Sequence, residues 1–238
     1  MHTGRDSSDV SVVIGGTRGI GSAITNALVE SSGRVITCSR SGSNTDTHVA
    51  LDLLDEQACS FLIERLDGAL VKNLIFCQRN RKEGWDNEIG LMLSASQRII
   101  DGLLGSFSKP GSIVFIGSHA ADKVFVEQSV GYHVARGGIK SLVRYLAVTL
   151  GPVGLRCNVV SPGTVLKPEN NGFFAGHGAP VQNNIERITP LSRMGNAEDI
   201  AKVVRFLCSD DSSFLTGQDL VVDGGLHLVS QEGISKKL

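Results

Sequence analysis

The chain has 238 residues, 41 % hydrophobic and 20 % charged, with a formal net charge of −1. That length suits one α/β domain with a full core. The balanced charge gives no electrostatic case for nucleic acid or an anionic membrane. No apolar run reaches the length of a membrane span, and the polar stretch Met1 to Asp9 lacks the apolar centre of a signal peptide. Five scattered cysteines (Cys38, Cys59, Cys77, Cys157, Cys208) include no pair at metal-ligand spacing. They read as buried free thiols of a reduced, cytoplasmic protein, with no metal site expected.

Val10 to Ile14 is a short apolar run, the pattern of a buried strand. Gly15-Gly16-Thr17-Arg18-Gly19-Ile20-Gly21 turns the chain, and Ala23, Ile24, Ala27 and Leu28 then recur at helical spacing. A strand that turns on glycines into a helix offers bare backbone N–H groups and a positive helix end to an anion. The glycines let a pyrophosphate approach the backbone closely. A plain strand–helix turn is the bland alternative. Strand, spacing and helix together favour nucleotide binding.

Arg34 to Cys38 reads as a second strand, His48 to Leu51 as a third, and Glu56 to Leu66 as a helix. Val71 to Cys77 is a fourth strand, followed by a polar loop from Gln78 to Asp86 and a long helix from about Glu88 to Phe107. Ile113 to Ile116 is a fifth strand, about Gly131 to Leu150 a helix, and Leu155 to Val160 a sixth strand. Residues 164–193 are Gly- and Asn-rich without clear period, so a long functional loop is expected there. Ala197 to Cys208 reads as a helix and Asp219 to Val222 as the last strand. The alternation predicts a single α/β domain over 1–238, a doubly wound parallel sheet of about seven strands with helices on both faces.

Taken in order, several pieces resemble the short-chain dehydrogenase/reductase family over nearly the whole chain. They are the Gly15–Gly21 turn, Asp52 after the third strand, Ser118 after the fifth and Tyr132 on the next helix. Ser161-Pro162-Gly163, Arg193-Met194-Gly195, Asp199-Ile200-Ala201, Thr216-Gly217-Gln218 and Asp223-Gly224-Gly225 complete the pattern. The resemblance implies a Rossmann-type fold, a nicotinamide cofactor and hydride transfer to or from a small carbonyl or alcohol substrate. It also implies a homotetramer, built on the helices at about 88–107 and 131–150 and on the segment 197–222. Leu142, Val143, Leu146 and Val148 are spread more widely round their helix than one buried face needs.

By the same resemblance, the cofactor would touch Gly15, Thr17, Arg18, Gly19, Ile20 and Gly21 at the turn, with Ser39 and Arg40 after the second strand. Asp52 and Leu53 would lie at the adenine, Cys77 and Gln78 after the fourth strand, and Pro162, Gly163 and Val165 near the cofactor amide. NAD sites of this kind carry an acid after the second strand; here Ser39-Arg40 stands there, and an arginine fork grips a 2′-phosphate. NADP(H) is therefore expected, with Arg40 as a plain solvated charge the alternative. Asp52 has a second reading as a helix N-cap ahead of Glu56.

Tyr132 as acid/base and Ser118 on the reacting oxygen fit the family, but the lysine expected four residues after the tyrosine is Arg136. Arg136 shares the tyrosine's helix face and also stands where the family holds the nicotinamide ribose. It keeps the charge but does not readily pass protons. Lys140, two turns along, is too far to substitute. The family's helical asparagine is missing from 88–107, with Asn87 just before it. Its Asn-Ala-Gly is replaced by Cys77-Gln78-Arg79, where Gln and Arg are expected to crowd the cofactor, and a threonine by Lys167. Arg79, Lys167 and Phe173 are the substrate-side candidates. The favoured reading is an NADP(H)-dependent oxidoreductase. The alternatives are a redox-impaired nucleotide-binding or scaffold protein, or altered chemistry on an anionic substrate held by the cations.

Overall fold

The computed structural model describes residues 9–80 and 84–237. Most of the polar stretch at Met1–Asp9, and part of the polar loop 78–86, lie outside the described residues.

The apolar runs form a seven-stranded, all-parallel sheet in the order β3-β2-β1-β4-β5-β6-β9. Its strands are β1 (Asp9–Ile14), β2 (Val35–Ser39), β3 (His48–Ala50), β4 (Leu70–Phe76), β5 (Phe107–Ile116), β6 (Leu155–Pro162) and β9 (Asp219–Val222). Alternate residues of the central strands face opposite layers, which is why these strands read as continuous apolar runs. Val12, Leu74, Ile113 and Phe115 pack under α2 (Ala58–Leu66), α4 (Ala95–Leu103) and α5 (Val130–Leu150). Val13, Ile75, Val114 and Val160 pack under α1 (Gly19–Ser32) and α8 (Ala197–Leu207). Phe76 and Phe115 stack at 4.6 Å between ring centres.

Three expectations are corrected. The helix expected over 88–107 is broken: α3 (Trp85–Ile89) runs into a π turn at Gly90–Ser94, then α4, then a short 3-10 turn, and Phe107 already belongs to β5. The apolar spacing continues through such a turn, so periodicity alone did not reveal it. Residues 164–193 are not one long loop. They hold β7 (Val165–Leu166), α6 (Pro168–Ala175) and α7 (Ala179–Ile188), and β7 pairs with β8 (Gly195–Asn196). α6 is set by polar chemistry rather than an apolar stripe: Asn170 Oδ1 accepts the Lys167 N–H (2.8 Å) and Asn170 Nδ2 donates to the Val165 carbonyl (3.0 Å). A further helix, α9 (Gln231–Lys237), lies past the last element expected.

Two of the sequence pieces turn out to hold the frame. Arg193 forks onto Asp199 at 2.6 and 3.0 Å, and Asp199 caps α8 together with Asn196. The Arg193 hydrogen bonds hold the Asp199 carboxyl below its usual range, against the smaller opposing effect of burial. Thr216 Oγ1 accepts the Cys157 N–H (3.0 Å) and Gln218 N donates to Asn158 Oδ1 (3.0 Å), fixing β9 against β6. On α5, Val143 and Leu146 belong to the core and Leu142 packs on it, so only Val148 of the four apolar residues faces outward. Among the described residues no helix is long and apolar enough to cross a membrane.

Candidate active site

The strand order reverses between β1 and β4, and a cleft of about 830 Å³ opens outside the carboxyl ends of the strands. At its first end lies the β1–α1 turn, with Gly15, Thr17, Arg18, Gly19, Ile20 and Gly21 all on the wall. A Cβ on Gly15, whose φ is +79°, would sit 2.7 Å from the Cys77 carbonyl oxygen; one on Gly21 would sit 2.1 Å from that of Gly15. Both positions therefore require glycine. No side chain caps α1, so its positive end opens into the cleft.

The end of β2 contributes Ser39, Arg40 and Ser41, and Arg18 and Arg40 are both exposed on this one cleft. The Ser39 hydroxyl is engaged locally, donating to the Ser41 carbonyl at 2.7 Å with His48 Nε2 at 2.9 Å. Leu51 and Leu53 form an apolar wall. Asp52 between them is not on the cleft: it is exposed, and its Oδ1 accepts the Leu54 N–H at 3.1 Å. Nor does it cap a helix, since α2 begins at Ala58 behind Gln57. Alternation along the segment turns the leucines inward and the aspartate out.

Lys167, expected toward the substrate, lies beside the glycine turn instead. Its Cδ is 3.3 Å from where a Cβ on Gly19 would be, and the Glu169 carboxylate is 3.2 Å from the same point. Phe173 is off the cleft altogether. It is 55 % exposed and rests edge-on against Phe174 at 5.1 Å, because α6 turns it toward the Gly178 side.

The other end of the cleft gathers Ser118, Tyr132 and Arg136 with Cys77, Gln78, Arg79, Pro162, Gly163 and Val165. Ser118 follows β5 and its Oγ accepts the Ala120 N–H (3.1 Å), capping a 3-10 turn at His119–Ala121. Tyr132 rides in the first turn of α5, capped by Ser129. The ring of His133 pins the loop before it: Nε2 accepts the Phe125 N–H (2.9 Å), so Nδ1 carries the proton toward the Ser129 carbonyl (2.8 Å). Phe125 and Gln128 of that loop face the cleft.

Arg136 is only 5 % exposed. Its guanidinium carbon lies 4.8 Å from the Tyr132 ring centre, a cation–π contact, and Nη1 donates to the Ile116 carbonyl at 2.9 Å. Lys140 is turned elsewhere, paired with Asp122 and with Asp219 (2.7 Å). Burial opposes its charge, but the two carboxylates outweigh that and hold the ammonium above its usual range.

Gln78 does not crowd the cleft with its amide. The side chain folds inward, donating to Ser96 Oγ (2.9 Å) and to the Leu91 carbonyl in the π turn (3.4 Å). Arg79 is exposed at the rim. Burial pushes the Cys77 thiol up to about 12, against the opposing charges of Arg136 and Lys167.

Sequence reasoning missed His119. Its Nε2 is 3.3 Å from Asp223 Oδ2, and Asp223 also meets His227 Nδ1 at 3.0 Å. The signal was a histidine directly after Ser118 and an aspartate in Asp223-Gly224-Gly225, residues far apart in sequence that Gly163 lets approach: a Cβ there would lie 2.9 Å from Asp223 Cβ and 3.5 Å from His119 Cε1.

Comparison with known proteins agrees with this geometry. The family described as Enoyl-(Acyl carrier protein) reductase matches residues 15–227. An uncharacterized oxidoreductase of Schizosaccharomyces pombe is 38 % identical over 147 residues, 60 % of this chain and 56 % of that protein. L-xylulose reductase of Bos taurus is 31 % identical over 237 residues, 90 % of this chain and 94 % of that protein. Among solved structures, an NADPH-bound short chain oxidoreductase of Pseudomonas aeruginosa, containing an atypical catalytic center, is 26 % identical with a TM-score of 0.79. The match covers 91 % of this chain and 96 % of that one.

Proposed function

Since the chain belongs to the short-chain dehydrogenase/reductase family, whose members are oxidoreductases using a nicotinamide cofactor, we propose that it is NADP(H)-dependent and interconverts a carbonyl compound and an alcohol. The observation that carries this reading is one cleft with an uncapped helix end behind obligatory glycines at one extreme and Ser118 with Tyr132 at the other. The residues fit the cofactor. The Gly15 and Gly21 cradle leaves the space a Cβ would fill, and Lys167, beside Gly19, would pair with the diphosphate at α1, with the Glu169 carboxylate having to turn away from the same point. Arg18 and Arg40 would hold the 2′-phosphate, with no carboxylate of the cleft wall at the end of β2 to repel it. The NADPH of the Pseudomonas structure supports the same choice.

The cofactor, when bound, supplies or accepts the hydride. In the reducing direction Tyr132 gives its hydroxyl proton to the carbonyl oxygen as that oxygen gains charge, and takes it back in oxidation. The Ser118 hydroxyl donates a hydrogen bond to the same oxygen. Arg136, stacked on the tyrosine ring, fixes the ring and favours negative charge nearby. Pro162, Gly163 and Val165 would border the nicotinamide, and Arg79 the substrate at the rim. We also infer a homotetramer, supported by the outward apolar residues Val134, Tyr145 and Val148 on α5, which light scattering would test. The function is tested by titrating purified protein with NADPH and NADH, then measuring NADPH oxidation with a panel of ketones. Equal affinity for the two nucleotides defeats the cofactor assignment, and no turnover with any ketone defeats the redox one.

A further inference from the structure

His119, Asp223 and His227 form a side-chain cluster that hydride transfer does not use. Asp223 follows β9 with its side chain 1 % exposed. Its carboxylate accepts the Gly225 N–H (2.9 Å), the His227 N–H (2.7 Å) and His227 Nδ1 (3.0 Å). Those bonds outweigh burial and hold the carboxyl below its usual range, so it is a fixed anion. His119 brings Nε2 to 3.3 Å from this anion, near enough to feel its charge but without the geometry of a hydrogen bond, and its side chain is 11 % exposed. A neutral imidazole beside a carboxylate keeps its proton on the facing nitrogen. That leaves the lone pair on Nδ1, on a ring that forms part of the cleft wall. Burial, with Lys123 and His227 adding to it and Asp223 and Asp122 opposing, pushes the His119 pKa down, so the neutral form prevails at neutral pH.

Asp223 is already satisfied by the turn it closes and by His227, so it does not need His119 for its own hydrogen bonds. What the anion provides is a charge bias toward the proton on Nε2, which leaves Nδ1 as the acceptor of a ring that lines the cleft one residue from Ser118. Arg79 and Arg136 carry no acceptor, and the Ser118 and Tyr132 hydroxyls are directed at the reacting oxygen. That leaves His119 as the acceptor adjacent to Ser118 in the chain, although Gln78 and Gln128 of the wall also bear an amide oxygen. We propose that His119 determines specificity by accepting a hydrogen bond from a hydroxyl group next to the reacting carbonyl of the substrate, with Asp223 and His227 as its positioning residues. This rests on the redox reading above. The substrate class is a hydroxycarbonyl compound, recognised through the hydroxyl as well as the carbonyl.

The test uses 1-hydroxy-2-butanone and 2-butanone, which differ by that hydroxyl, with NADPH as reductant. One good hydrogen bond corresponds to about tenfold in kcat/KM. The unmodified protein is expected to favour the hydroxyketone by about that factor, and His119→Phe to abolish the preference. His119→Gln, which keeps an acceptor, is expected to restore part of it. Ring ¹⁵N spectra of the unmodified protein, which do not depend on a variant folding, are expected to show His119 protonated at Nε2 with bare Nδ1. Asp223→Asn is expected to mix the tautomers. In the NADP⁺-loaded protein, which cannot reduce the ketone, 1-hydroxy-2-butanone should shift the Nδ1 signal and 2-butanone should not. No preference between the ketones, or no hydroxyl-dependent shift of Nδ1, overturns the proposal. A hydroxyl-dependent shift without turnover of either ketone supports the His119 assignment and sinks the redox reading instead.

Discussion

The two ends of the cleft are built from different material. The nucleotide end is backbone: Gly15 and Gly21 sit where a Cβ would meet a carbonyl oxygen at 2.7 and 2.1 Å, and α1 opens without a side-chain cap. The reacting end is side chain: Gln78 from the end of β4, Ser118 and His119 after β5, and Tyr132 and Arg136 on α5, with Asp223 after β9 buried behind His119. Backbone geometry tolerates almost no substitution, so that end keeps its pattern. A side-chain assembly can change several members if the new ones satisfy one another. Arg136 has found the Ile116 carbonyl and the Tyr132 ring and Gln78 has found Ser96, although Arg136 Nε and Gln78 Oε1 are left buried without a partner.

That contrast breaks most sharply at Tyr132. Phe at this position keeps the ring over Arg136 and removes the proton donor. Turnover should fall by about 10²–10⁴-fold, the usual worth of a positioned acid/base. NADPH affinity, set at the other end, should change little in a fluorescence titration. A comparable loss of both would mean the ends are not separable. At the nucleotide end, Arg40→Ala removes a charge-assisted contact of about 1.5–3 kcal/mol, roughly ten- to a hundredfold in affinity. The loss should appear for NADPH and scarcely for NADH, with kcat at saturating cofactor preserved. Arg136→Lys probes whether the reacting end is a rebuilt unit. Lysine lacks the planar fork that reaches the Ile116 carbonyl while covering the ring. Turnover is expected to drop by about tenfold, one lost hydrogen bond at a buried charge. A rise in turnover would show instead that the arginine is a handicap the site tolerates.

The same contrast explains what could be read from the chain. Strand–turn–helix at 10–28 is a local string whose spacing states its geometry, and the core strands are apolar runs because both sheet faces are covered. Ser118, Tyr132 and Arg136 were legible as positions. Where their neighbours point was not. Gln78 reads as an obstruction until its amide is seen bonded to Ser96, and Lys167 reads as a substrate group until α6 sets it beside Gly19. The turn of α6 is fixed by Asn170, a polar contact with no periodicity. Phe173 failed as a site residue for the same reason. Asp223 and His119 are more than a hundred residues apart and meet only through the close packing at Gly163, which no local pattern encodes.

The smallest expected effect is on stability against pH, and it tests the geometry of His119 without any substrate. Burial lowers its pKa from 6.5, with Lys123 and His227 adding and Asp223 and Asp122 opposing. Above pH 6.5 the imidazole is neutral in both folded and unfolded chains and contributes no pH dependence. As pH falls below 6.5 the unfolded chain takes up this proton first, so stability declines until the folded pKa is passed and then levels. The Asp223 carboxyl, held low by His227 and Gly225, acts in another window: its contribution is present above 3.8 and lost as pH falls further through its folded value. Urea midpoints measured from pH 7.5 to 5.0 should therefore fall in the unmodified protein and fall less in His119→Gln. Histidines away from Asp223 are common to both proteins and cancel in the difference; His227 shares Asp223 with His119, so a parallel His227→Gln series separates its contribution. Parallel curves would mean that His119 is not enclosed as described, and its orienting contact with Asp223 would have to be abandoned with it.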